Sequence, residues 1–150
     1  MQFATAAATL LALAAPSLVS AACLEQPPSA LGFPINYDIT SSRSDAVSFQ
    51  IPPNSVGPCQ LVAKFPAGYP IVSTGDDLVN VTALDGPAPG ALVGALRFRA
   101  GTTTVINSFA CRDVMAYELA IANPTEGWSE VKFSEIQGAG LFMEVGDCSI

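Results

Sequence analysis

The strongest constraint on the fold of this chain is a period of two. From Cys23 onward apolar and polar residues alternate in short runs, and none keeps the three-to-four spacing of an amphipathic helix. Val47, Phe49 and Ile51 alternate with Ser48 and Gln50, and Cys59, Leu61, Ala63 and Phe65 alternate with Gln60 and Lys64. Leu96 and Phe98 oppose Arg97 and Arg99, while Met115, Tyr117, Leu119 and Ile121 oppose Glu118. Val131 and Phe133 flank Lys132, and Leu141, Met143 and Val145 oppose Glu144. Runs of this kind are strands with one face buried and one wet, as in antiparallel sheets. Turn-forming clusters separate them: Pro52-Pro53-Asn54, Val56-Gly57-Pro58, Asp85 to Gly90, Asn123 to Gly127, and Gly138-Ala139-Gly140. Ala100-Gly101 reads as a tight hairpin turn between Phe98 and Val105. The expectation is an all-β antiparallel sandwich of about seven or eight short strands in one domain.

The first residues are of a different kind. Met1 to Ala22 carry no charged side chain, and the apolar block Leu10 to Ala15 is followed by small residues at Val19-x-Ala21 and Ser20-x-Ala22. That is the form of a cleaved export signal, placed at residues 1–21, which leaves a secreted domain of residues 22–150. No stretch reaches the ~20 apolar residues of a membrane-spanning helix. Cys23, Cys59, Cys111 and Cys148 all follow the leader, an even number with no CxxC spacing, so an exported chain would carry them as two disulfides. Three pairings are open, each bridge stabilising by roughly 2–4 kcal/mol. Antiparallel neighbours can bring a strand start to a terminal strand end, which favours Cys59–Cys148 and leaves Cys23–Cys111. Asn80-Val81-Thr82 is a glycosylation sequon, with Asn80 and Thr82 on one outward strand face, whereas Pro124 blocks the one at Asn123.

Composition removes whole classes of chemistry. The chain has no histidine, which excludes Ser-His-Asp and Cys-His nucleophiles and the common imidazole-bound metal sites. A net charge of −7, with six scattered basic residues, disfavours nucleic acid. Carboxylates remain: Asp76, Asp77, Asp85, Glu118, Glu130, Glu135 and Glu144, of which Glu118 and Glu144 fall on outward strand faces. As a pair they would suit a glycosidase; as isolated groups they read as a solvated surface. Asp76, Asp77 and Asp85 are candidate calcium ligands, although they lack EF-hand spacing and each also suits a turn. Trp128, the one tryptophan, and Tyr69 are candidate ligand contacts.

The order of short motifs resembles a known family. Phe33-Pro34-Ile35, Val47 to Pro52, Gly57 to Pro66, Ser108-Phe109-Ala110-Cys111, Ala116 to Leu119, Val131-Lys132-Phe133 and Gly140 to Met143 together resemble the fungal But-type C-terminal domain, over residues 31–148. Arg112 stands where that family usually has proline. The resemblance implies a secreted β-sandwich. The binding of a ubiquitin-like activating enzyme, for which the family is named, would need a cytosolic partner that an exported chain does not meet. The expected function is therefore secreted and non-enzymatic, without cofactor or membrane span. It would act by recognition of a protein or cell-wall polysaccharide at the fungal wall or at a host or microbial partner. A carbohydrate- or small-ligand-binding module is the alternative, and a carboxylate-dependent hydrolase the remote one.

Overall fold

The computed structural model describes residues 23–30 and 32–148, so residues 1–21, expected to be an export signal, lie outside the described residues. The described chain is all-β. Its strands are β1 (Leu24–Gln26), β2 (Ile35–Thr40), β3 (Asp45–Gln50), β4 (Cys59–Phe65), β5 (Val72–Thr74), β6 (Val79–Asp85), β7 (Leu92–Leu96), β8 (Thr102–Phe109), β9 (Val114–Ile121), β10 (Glu130–Glu135) and β11 (Gly140–Val145). They form three antiparallel sheets with strand orders β1-β11-β4-β8, β2-β10-β5 and β3-β9-β6-β7, in a sandwich-like arrangement. No helix among the described residues is long and apolar enough to cross a membrane.

Alternation is what drives the chain into this shape. In β9 every second residue, Met115, Tyr117, Leu119 and Ile121, is buried, and β10 places Val131, Phe133 and Glu135 inward in the same way. These side chains join those of Val47, Phe49, Leu61, Val79, Val81, Leu141 and Met143 in one apolar core drawn from all three sheets. Phe133 is a hub within it: its ring lies 4.8 Å from Tyr37, 5.1 Å from Phe65 and 5.0 Å from Phe98. Contacts of this kind add about 0.5–1.5 kcal/mol each beyond area burial.

Three expectations are corrected. The strands outnumber the seven or eight expected, because β1 and β5 are three residues long and β7 buries Leu96 alone, so none shows alternation. The Ala100-Gly101 turn forms, but it does not close a hairpin: β7 before it pairs with β6, while β8 after it pairs with β4. The disulfides are Cys23–Cys148 and Cys59–Cys111. β4 and β11 are indeed antiparallel neighbours, but Val145 stands opposite Cys59, and Cys148 lies beyond it. On the far side of β11, Leu24 pairs with Val145, which brings Cys23 within 4.9 Å of Cys148, Cα to Cα. Cys59 pairs with Phe109 of β8, so Cys111 is its near neighbour at 5.1 Å.

Candidate functional site

A surface groove follows from a mismatch in strand length. β2 pairs with β10 along all of Glu130–Glu135, but β5 pairs only with Glu130, Val131 and Lys132. Beyond Lys132, on the β5 side, β10 has no strand partner among the described residues. The chain before β5 instead sends Tyr69 to that edge, where its hydroxyl donates to the Ser134 carbonyl. Tyr69 is held there by a turn. Its N–H and that of Gly101 both donate to the Pro66 carbonyl, at 3.1 and 3.0 Å, and its ring leans on Phe65 at 5.6 Å. Gly68 sits at φ +76°, a conformation that suits glycine.

The result is a groove of about 420 Å³ over the β2-β10-β5 sheet. Tyr69, Pro70 and Val72 form an apolar wall, and Asn36, Asp38, Lys132 and Ser134 supply a polar floor. That volume is within the range of small-ligand sites. The floor is preorganised: Ser134 Oγ donates to Asn36 Oδ1 at 2.6 Å, and the Asp38 N–H donates to Asp45 Oδ2 at 2.7 Å. Asp38 Oδ1 is buried without a protein partner. Lys132 and Asp38 are cross-strand neighbours. Donors and acceptors beside an aromatic wall are the chemistry that polyhydroxylated rings require.

Beneath the floor lies Glu135, fully buried. Its Oε1 accepts from the Tyr37 hydroxyl at 3.1 Å and the Leu141 N–H at 3.0 Å, while Oε2 has no partner. Burial, opposed by those two hydrogen bonds, pushes the carboxyl up to about 7. Sequence reading grouped Glu135 with solvated carboxylates, and the structure corrects this. One further step of the Val131, Phe133 alternation would have placed it inward. Glu144, expected on a wet face, is also buried at 9 % exposure, because both faces of β11 are covered.

The other candidates do not gather at this groove, Tyr69 excepted. Trp128 is exposed in the loop before β10, at the opposite end of that strand from Ser134. Ser41 pins this loop, its hydroxyl accepting from the Ser129 N–H at 2.8 Å. Asp76 and Asp77 are engaged by arginine. Arg97 Nη1 donates to both at 3.0 Å, Arg99 Nη1 donates to Asp77 Oδ2 at 2.6 Å, and Asn123 donates to Asp76 at 2.9 Å. Arg99, against the opposing effect of desolvation, holds the Asp77 carboxyl down at about 2. The Asn123 and Arg97 hydrogen bonds lower Asp76 as well. Asp85 closes the far end of β6, so the three aspartates do not converge. Glu118 accepts from Ser44 Oγ at 3.0 Å on β9, in a different sheet from Glu144. Glu144 lies near Cys23 and Cys148, but those sulfurs are bonded to each other and offer no thiolate. Asn80 and Thr82 face outward from β6, and Asn80 lies between Ala95 and Ala120 of the neighbouring strands.

Compared with known proteins, the chain matches no family model, no curated protein and no solved structure.

Proposed function

We propose that this chain works outside the cell as a non-enzymatic recognition domain that binds cell-wall polysaccharide through the groove over β2-β10-β5. The observation that carries the reading is the pairing of the Tyr69 wall with a fixed polar floor of Asn36, Asp38, Lys132 and Ser134. Export is supported by the leader-like residues 1–21 and by two disulfides, which persist in oxidising compartments. It also makes Asn80 a glycosylation acceptor. The ordered motifs resembling the But-type C-terminal domain are in keeping with a secreted β-domain of this kind. A non-enzymatic role is favoured by the lack of histidine, by the pairing of all four cysteines, and by the separation of Glu118 from Glu144.

The test is co-sedimentation of the secreted protein with insoluble chitin and β-glucan. Loss of the Tyr69 ring should weaken binding about tenfold, equivalent to about 1.4 kcal/mol, while Trp128→Ala binds as wild type. Equal retention of Tyr69→Ala and wild type, or no retention on either polymer, would rule out the groove as a polysaccharide site.

A further inference from the structure

We propose that the groove is gated by the protonation state of Glu135: it is competent while Glu135 is neutral and is lost when Glu135 ionises. This rests on the groove being the binding surface. Glu135 follows Ser134 directly and shares a hydrogen bond with Tyr37, and both Ser134 and Tyr37 line the groove. A change of charge at Glu135 is therefore felt by the groove at two points.

Burial sets the surroundings of Glu135 against its charged form and outweighs the two donors that favour it. Those donors are the Tyr37 hydroxyl from β2 and the Leu141 N–H from β11. Glu25 of β1 adds a negative field, and so opposes ionisation further. Tyr69, from the loop before β5, is itself raised, first by desolvation and then by the charge of Glu135. Lys64 of β4 stands opposite Gly140 and is engaged by Glu25. No arginine or lysine pairs with Glu135 among the described residues. An unpaired carboxylate in a core is costly, and this one would leave Oε2 without any partner.

On ionisation the carboxylate moves toward water. The charge strengthens the hold of the Tyr37 hydroxyl and the Leu141 N–H on Oε1, so as the unpartnered Oε2 turns to water, Tyr37 and the end of β10 are drawn along with the side chain. Ser134 then leaves the Tyr69 hydroxyl that holds the wall of the groove against its floor. The carboxyl is held near 7, so the switch falls between mildly acidic and mildly alkaline medium. If only the neutral form binds, the apparent affinity falls about tenfold from about pH 6 to about pH 8.

Two measurements on the full secreted protein test this. In the first, carbon-detected NMR follows the Glu135 carboxyl and the Ser134 and Tyr69 amides without ligand. A shared midpoint near 7 is expected; a carboxyl titrating in the usual range near 4.5, or groove amides that stay still, overturns the gate. In the second, a soluble β-glucan oligosaccharide is titrated in at both pH values. Wild type should lose about tenfold in affinity and Glu135→Gln, uncharged throughout, should lose none. A pH-independent wild type, or an equal fall in Glu135→Gln, overturns the gate. Absence of binding by this oligosaccharide and by both insoluble polymers at either pH removes the polysaccharide reading instead, and the ligand-free titration then decides the gate alone.

Discussion

A Cβ on Gly140 would stand 2.3 Å from Glu135 Cγ and 2.4 Å from its carboxyl carbon, at a φ of +138°. The absence of a side chain at position 140 is thus what lets the Glu135 carboxyl lie back across the turn and reach the Leu141 N–H. Gly140→Ala would bring both strained backbone and a clash, so it should destabilise the domain by about 2–4 kcal/mol. Gly138 supplies the control: its φ is +89°, but a Cβ there meets nothing within 4 Å. Gly138→Ala should cost only the backbone penalty, about 1–2 kcal/mol. Urea unfolding of the two variants measures the difference; equal losses would mean that Glu135 does not occupy the space beside Gly140. Tyr37 is the other residue on which Glu135 depends. Tyr37→Phe removes one of its two donors and should raise the carboxyl further, an effect visible as a later midpoint in the NMR titration.

At the scale of elements, the two bridges join neighbouring strands of one sheet but differ in access. Cys59 is fully buried and Cys111 partly so, whereas Cys23 is exposed beside the short edge strand β1. Mild reductant should therefore open Cys23–Cys148 first, and alkylation with peptide mass mapping should find Cys23 and Cys148 labelled while Cys59–Cys111 persists. Simultaneous labelling of all four sulfurs would mean that the core bridge is as open as the edge one. The partner of each cysteine was not legible in the sequence, because alternation tells which way a side chain points and not which strand lies beside it. The same limit explains Ala100-Gly101, whose local turn chemistry is real although its flanking strands go to different sheets. β3, β4, β9, β10 and β11 were legible because apolar residues recur at every second position of each. β1, β5 and β7 were not, since edge strands with wet faces lack that signature. Of the groove, Tyr69 stood out as an aromatic in a loop. Asn36 and Asp38 did not, because polar residues are poor strand markers and the groove depends on how far β5 extends along β10.

Across the whole molecule two carboxyls pull stability in opposite directions with pH. Asp77 is held at about 2, below its usual 3.8, so what Arg99 and Arg97 contribute is present above 3.8 and is lost as pH falls toward 2. Both arginines are half exposed, which limits this to about 1–2 kcal/mol. Glu135 is held at about 7, above its usual 4.5, so the folded state binds its proton more tightly than the unfolded chain does. That contribution is complete below 4.5 and is lost as pH rises to 7, a fall of about 3 kcal/mol. The two limbs leave a maximum between about pH 4 and pH 5, on the acid side of the usual range for globular proteins. Thermal unfolding followed by circular dichroism from pH 2 to pH 8 should show this optimum, with Tm about 10 °C lower at neutral pH. Glu135→Gln should remove the decline above about pH 5 while keeping the acid limb, and Arg99→Met should weaken the acid limb alone. A wild-type optimum near neutrality would mean that Glu135 is solvated, and the gate over the groove would go with it.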